Sequence, residues 1–260
     1  MVLPASRRIL GVRVDDVTED EAVARCIAFV AEGRRGVVTP NPEIVMAARD
    51  DRALRHALAR ADLAIPDGGG LLLAARLWGR PLRAQVRGSD LTLRLLTEAA
   101  ARGWRVFLLG GGPGVADEAA ARILARWPAL RIVGTDAGRA DEAHDRATRG
   151  AIAAAGRVDL LLLSFGAPRQ EGWLARNLPH LDVGVALGVG GTLDFLAGRV
   201  RRAPRPIRRA RLEWLFRLIV QPWRWRRQLR AARFFPLVAL RAPVERRRAA
   251  RAEQPTIGAR

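Results

Sequence analysis

The chain has 260 residues, 49% of them hydrophobic, which suits one large α/β domain with an appendage or two small domains and excludes general disorder. Its single cysteine, Cys26, excludes an internal disulfide, and neither a C-x-x-C nor a His-rich zinc pattern occurs. The net charge is +19 and every basic residue is arginine, with 26 arginines against 23 acids over 1–198 and 19 against 3 over 199–260.

In chain order, Met1 to Leu10 lacks the apolar core of a secretory signal, and no apolar run approaches the length of a membrane span. Val37-Val38-Thr39 reads as a strand ending at Pro40, and residues 42–60 as one helix with Pro42 in its first turn. Asp62 to Ile65 is a short strand that runs into Pro66-Asp67-Gly68-Gly69-Gly70. Residues 89–102 predict a helix capped by Ser89 or Asp90 and closed by Gly103. The clearest strand-to-helix unit is Arg105 to Leu109, the turn Gly110-Gly111-Gly112-Pro113-Gly114, and a helix over 115–126. A strand at Arg131-Ile132-Val133, a helix over 141–155, and apolar strands over Asp159–Ser164 and Val183–Leu187 complete the pattern. This alternation predicts an α/β fold with a mostly parallel sheet covered on both faces. The division expected is a sheet domain over 1–198, a basic amphipathic appendage over 199–235 and a disordered arginine-rich tail over 236–260.

Ligands of parallel α/β sheets bind beyond the carboxyl ends of the strands. Five polar or glycine-rich segments fall there: Thr39 to Glu43, Pro66 to Gly68, Gly110 to Gly114, Phe165 to Glu171 and Gly188 to Asp194. The Gly110–Gly114 turn reads equally as a diphosphate cradle at a helix N-terminus or as a tight turn with no ligand. It fits neither G-x-G-x-x-G nor a P-loop. Asp67 reads as a general base or, more commonly for such spacing, as a helix N-cap, and Asn41 and Glu43 divide the same way between site and cap. No D-x-D occurs, so neither a metal nor a cofactor is expected, and His56, His144 and His180 pair with no motif. In the basic tail Leu212, Leu215, Phe216 and Ile219 form one helical stripe, then Pro222 interrupts and Trp223 and Trp225 follow among arginines. That composition fits a membrane-interface segment, a helix packed on the domain, or a stacking platform for nucleic acid.

Read together, Thr39-Pro40-Asn41-Pro42-Glu43, Ile65-Pro66-Asp67-Gly68, Arg87-Gly88-Ser89-Asp90, Leu108 to Ala116, Phe165 to Glu171 and Gly188 to Gly198 resemble the WecG/TagA/CpsF glycosyltransferases. Arg202-Ala203-Pro204, Glu213 to Leu218 and Pro222 to Arg227 continue the likeness, which spans about residues 8 to 230. The resemblance implies a Rossmann-like domain with a membrane-approaching appendage. It implies metal-independent, inverting transfer of an N-acetylmannosamine-type sugar or a related hexose or uronic acid. The donor would be a UDP-sugar and the acceptor an undecaprenyl-diphosphate-linked saccharide, in teichoic acid or other surface polysaccharide synthesis. It implies Asp67 as general base beside Thr39 and Asn41. Gly110, Gly111, Gly112, Gly114, Gln170, Glu171, Gly188, Gly190 and Asp194 would meet the nucleotide, and Arg87, Arg217, Arg224 and Arg227 the lipid diphosphate. Gly191-Thr192-Leu193-Asp194 departs from the family pattern, with Leu193 where an aromatic is usual, and Arg169 replaces a lysine.

The expected setting is therefore the cytoplasmic face of the plasma membrane, with peripheral attachment to its anionic surface. A homo-oligomer is compatible with the sequence. A nicotinamide-dependent oxidoreductase would require the missing glycine fingerprint, and a nucleic-acid-binding protein would spread its basic residues over a groove; nucleic acid is not an expected partner. Removal of residues 231–260 is expected to spare most turnover.

Overall fold

The computed structural model describes residues 4–204, 206–207, 213–222 and 225–253. A two-stranded antiparallel hairpin, β1 (Ser6–Ile9) and β2 (Val12–Asp15), precedes helix α1 (Glu19–Glu32). Thr18 and Glu21 close a reciprocal capping box at the start of α1, satisfying two backbone donors that a helix end leaves open.

A six-stranded sheet follows, built from β3 (Arg35–Val38), β4 (Leu63–Ala64), β5 (Arg105–Gly110), β6 (Arg131–Asp136), β7 (Val158–Ser164) and β8 (Val183–Gly188). The spatial order is β4-β3-β8-β7-β5-β6, and every neighbouring pair is parallel. All their carboxyl ends therefore lie on one side of the molecule, as the strand pattern predicts.

Alternate residues of the central strands enter opposite cores, because successive strand side chains point to opposite faces. Phe107, Leu109, Leu161 and Leu163 join one apolar cluster, while Val106, Leu108, Leu160 and Leu162 join the other. Each fully buried leucine contributes about 1.5–3 kcal/mol, so the continuous apolar runs of β5 and β7 stabilise both faces at once.

Helices α2 (Pro42–Asp50), α3 (Arg52–Arg60), α4 (Gly69–Leu77) and α8 (Arg169–Asn177) cover the first face, with α7 (Asp145–Ala154) beside them. Helices α1, α5 (Gly88–Arg102), α6 (Val115–Arg126) and α9 (Thr192–Leu196) cover the second. The single helix expected over 42–60 is two. Asp51 adopts an extended conformation (φ −118°, ψ 106°) and its carboxylate accepts the Leu54 N–H at 2.9 Å, so it stops α2 and caps α3. Neither Ser89 nor Asp90 caps α5. The helix begins at Gly88 without a side-chain cap from Arg87, and both residues lie inside its first turn.

Beyond the sheet come α10 (Glu213–Val220), α11 (Trp225–Ala232) and α12 (Phe234–Glu253). The last of these runs through 236–253 of the tail expected to be disordered, and residues 254–260 lie outside the described residues. Phe234, Val238, Ala242 and Ala249 recur at helical spacing; Phe234 and Val238 are buried in the first core and Ala242 packs against it. Trp78 Nε1 donates to the Val238 carbonyl at 2.9 Å, and Arg246 Nε donates to the Leu77 carbonyl at 2.6 Å, so α12 is fastened along α4. Among the described residues no helix is long and apolar enough to cross a membrane.

Candidate active site

The loops after β3 and β4 are tied together by backbone and side chain. The Asp67 N–H donates to the Pro40 carbonyl at 3.0 Å, and the buried Thr39 hydroxyl donates to the Gly188 carbonyl at the end of β8 at 3.3 Å. Asn41 caps α2, its Oδ1 accepting the Ile44 N–H at 3.0 Å, with Pro42 preset for the first turn. Asp67 is not the N-cap of the helix that follows it; that position belongs to Gly68, which has no side chain to cap with. The Asp67 carboxylate turns instead to the first N–H of α5, with Gly88 N 3.4 Å from Oδ2. A Cβ on Gly88 would come within 3.0 Å of the Thr39 methyl, so α5 begins in direct contact with these loops.

A cavity of about 480 Å³ opens over this junction. Asn41, Glu43, Asp67, Gln85, Arg87 and Ser89 give it a polar end, and Leu73, Phe195, Trp214 and Phe235 give it an apolar wall. Trp214 and Phe235 belong to α10 and α12, and Ala231 and Ala232 of α11 line it too, so the C-terminal helices complete it. Leu73, Trp214 and Phe235 are each about half exposed, an unusual state for large apolar side chains in a concave site.

Gln170 and Glu171 lie behind the β8 loop. Gln170 Oε1 accepts the Gly190 N–H at 3.0 Å, and its Nε2 donates to Glu171 Oε1 at 3.0 Å. Both are buried, and a Cβ on Gly188 would stand 2.8 Å from the Gln170 amide. The pair thus shapes the Gly188–Gly190 loop from beneath, and Val189 of that loop reaches the cavity.

The Gly110–Gly114 turn does not line the cavity and is built against the end of β7. Gly110 (φ +103°) and Gly111 (φ +81°) are left-handed, and a Cβ on either would come within 3 Å of Ser164 or Val115. Gly111 N–H donates to the Ser164 carbonyl at 2.9 Å. At the α6 end, Arg199 pairs with Glu118 at 2.7 Å and donates to the Pro113 carbonyl at 3.0 Å. The Glu118 hydrogen bond first, then the charges of Glu118 and nearby Asp194, raise the Arg199 pKa above its ordinary value. Gly112 and Gly114 share this turn, and Asp194 sits on α9 beside Arg199, outside the cavity wall.

The structure therefore brings together Asp67, Asn41, Arg87 and, from below, Thr39 and Gln170. The glycine turn and Asp194 do not line the cavity, and the turn adjoins the Gly188–Gly190 loop through Ser164. Arg224 and the side chains of Arg217 and Arg227 lie outside the described residues. Sequence reasoning missed the apolar wall and Arg202, whose Nη2 donates to Ser89 Oγ and Asp90 Oδ1 at 2.6 Å each. Its motif, Arg202-Ala203-Pro204, was the available signal. Among the described residues no three His, Cys, Asp or Glu side chains converge as a metal site.

A parallel sheet with an acid, an amide and an arginine gathered in one cavity beyond its carboxyl ends has the layout of a group-transfer enzyme. The profile described as the glycosyl transferase WecG/TagA/CpsF family matches residues 7–249. The chain is 33% identical over 202 residues to a Bacillus spizizenii protein named N-acetylglucosaminyldiphosphoundecaprenol N-acetyl-beta-D-mannosaminyltransferase, covering 78% of this chain and 77% of that one. It is 34% identical over 194 residues to the Bacillus subtilis (strain 168) protein of the same name, covering 74% of each. The chain belongs to the WecG/TagA/CpsF family and is a glycosyltransferase. The family match runs through most of α12, well past the limit near residue 230 that the motifs alone suggest.

Proposed function

We propose that this enzyme moves an N-acetylmannosamine-type sugar from a UDP donor to a saccharide on undecaprenyl diphosphate, inverting the anomeric centre without a metal. The observation that carries the reading is the two-ended cavity, in which Asp67 and Arg87 share one enclosure with exposed Leu73, Trp214 and Phe235. A water-soluble acceptor would have no use for that wall, whereas a lipid-linked one has an apolar chain to lay against it.

The chemistry follows from the placement. The acceptor hydroxyl attacks the sugar's anomeric carbon as the Asp67 carboxylate takes its proton, and the bond to UDP breaks with its electron pair leaving on the diphosphate. Thr39 and Asn41 fix the neighbouring loop, whose Pro40 carbonyl accepts the Asp67 N–H. Negative charge gathering on the leaving diphosphate is met by backbone N–H groups, helix N-termini and arginines. The Gly188–Gly190 loop fixed by Gln170 and the α6 N-terminus are the elements assigned to the nucleotide. Arg87, with Arg217, Arg224 and Arg227, is assigned to the acceptor's diphosphate.

Docking on the inner face of the plasma membrane is part of the same proposal. Ile219, Leu229, Leu240 and Val244 of the C-terminal helices are more than half exposed, and the segment after residue 198 carries most of the net positive charge. Apolar side chains beside arginines suit an anionic lipid surface, where each basic residue adds about 1 kcal/mol of attraction. The test is a panel of UDP-sugars with a short-chain polyprenyl-diphosphate saccharide, following UDP release with and without EDTA. Turnover with one N-acetylated hexosamine donor, unchanged by EDTA, is expected. Equal turnover of the same saccharide without its lipid would overturn the lipid-linked acceptor, and loss in EDTA restored by Mg²⁺ would overturn the metal-free step.

A further inference from the structure

The chain between α4 and α5 passes along the polar end of the cavity and is pinned in three places. The Arg83 N–H donates to Asp16 Oδ1 at 2.8 Å, and its guanidinium donates to Glu21 Oε2 at 2.6 Å. Val86 is fully buried in the second core, and its N–H donates at 3.0 Å to the carbonyl of Pro66, the residue before Asp67. Arg87 is extended (φ −81°, ψ 128°), and the Gly88 N–H after it meets the Asp67 carboxylate. With Val86 turned into the core, Gln85 and Arg87 on either side of it face the cavity together.

Of the six side chains at that polar end, five are engaged by the protein itself. Asn41 caps α2, Asp67 meets Gly88, Ser89 accepts from Arg202, and Glu43 and Arg87 are likewise engaged. Gln85 is the exception: among the described residues its carboxamide makes no hydrogen bond, although the residue is partly buried. A polar group set in a concave wall, on a pinned backbone, is ready for a ligand because little remains to be ordered on binding. The carboxamide is neutral and offers both an acceptor oxygen and a donor nitrogen, so its complement is an uncharged group with donor and acceptor of its own. Side chains two apart on an extended segment project about 6–7 Å from one another. A sugar whose phosphorylated carbon lies at Arg87 therefore brings the substituent of the next carbon towards Gln85. In a 2-acetamido sugar that substituent is itself a neutral amide.

We propose that Gln85 is a specificity-determining residue that hydrogen-bonds the 2-acetamido group of the acceptor sugar joined to the diphosphate. The proposal rests on the reading that Arg87 meets that diphosphate and Asp67 the attacking hydroxyl. The polar end is then divided by charge: the arginine takes the diphosphate, the carboxylate takes the proton, and the neutral amide takes the neutral amide. An acceptor with a hydroxyl at the same carbon leaves part of the Gln85 carboxamide unpaired in the complex and binds more weakly.

The experiment measures kcat and KM in full-length wild type, Q85A, Q85L and R87A, together with thermal midpoints. Two short-chain polyprenyl-diphosphate acceptors are used, differing only in a 2-acetamido or a 2-hydroxyl group on the sugar. Wild type is expected to prefer the acetamido acceptor in kcat/KM by about tenfold or more. Q85A and Q85L should each lower that preference about tenfold, through a raised KM for the acetamido acceptor. Donor KM and turnover of the 2-hydroxyl acceptor should stay within about threefold of wild type. R87A should raise KM for both acceptors alike. Should Q85A fold poorly, Q85L, which keeps most of the side-chain volume, carries the same test. Equal kcat/KM for the two acceptors in wild type, or a preference unchanged in Q85A and Q85L, overturns the proposal and leaves the lipid-linked reading standing. A change of preference between 2-acetamido and 2-hydroxyl UDP-sugar donors, in place of the acceptors, overturns it in the same way. A normal acceptor KM in R87A, or no turnover of either acceptor by wild type, overturns the underlying reading and the proposal together.

Discussion

Asp67 is placed by two loops and the start of a distant helix, and only its carboxylate charge is special to it. An asparagine at this position can still accept the Gly88 N–H, so D67N should keep the fold and nucleotide binding while kcat falls roughly 10²–10⁴-fold. Retention of more than about a third of wild-type turnover would remove Asp67 from the role of base. A second acid reports on stability. Burial raises the Asp15 pKa above 3.8, against the opposing pull of the Ala64 N–H and the Arg13 charge. The folded state therefore binds this proton more tightly than the unfolded chain. Its contribution is fully present below 3.8 and is lost as pH rises through the higher folded value. The substitution D15N would keep the contact to Ala64 without the buried charge, so its urea midpoint should gain on wild type as pH rises from about 4 towards neutral. Parallel midpoints across that range would mean that Asp15 is not the group responsible. These two acids also mark how far residues could be read alone. The Pro66-Asp67-Gly68 punctuation exposes Asp67 as a loop residue, but whether it caps α4 or faces Gly88 depends on a partner 21 positions away.

At the scale of elements, the strands and the loops after them were legible because Gly, Pro and Asp punctuate apolar β-branched runs. Helix α6 begins and ends where its pattern predicts, over Val115–Arg126. What could not be read was packing between distant segments: Gln170 under Gly190, Arg202 on Asp90, and α12 on α4. The arginines of 236–253 hid an apolar stripe that has meaning only against Trp78 and the first core. This reverses the expectation for truncation. Ending the chain at Arg230 removes Phe234 and Val238 from the core and Ala231, Ala232 and Phe235 from the cavity, so turnover should fall more than about tenfold and the thermal midpoint should drop. F234A, which leaves the chain whole, should cost about 3–5 kcal/mol in urea unfolding. A truncated enzyme with wild-type turnover would show that α12 is dispensable to the site.

For the molecule as a whole, Cys26 offers a probe that function does not perturb. It is fully buried on α1, and burial alone pushes its thiol up to about 12. A maleimide should leave the native enzyme unlabelled at neutral pH and label it at the rate of global opening in increasing urea. Rapid labelling without denaturant would place α1 among the loosely held parts. The order of the strands carries a last consequence, in how the chain comes to be folded. Strand β8 stands between β3 and β7, and Arg35 pairs with Val185 across that seam. Before β8 is synthesised, β3 has only β4 as a neighbour, and β7 can join only β5 and through it β6. A nascent chain therefore holds two partial sheets with open apolar edges, which no local pairing can close. Such long-range closure is slow, and the half-made protein depends on being shielded from its own copies until the sixth strand of the sheet arrives.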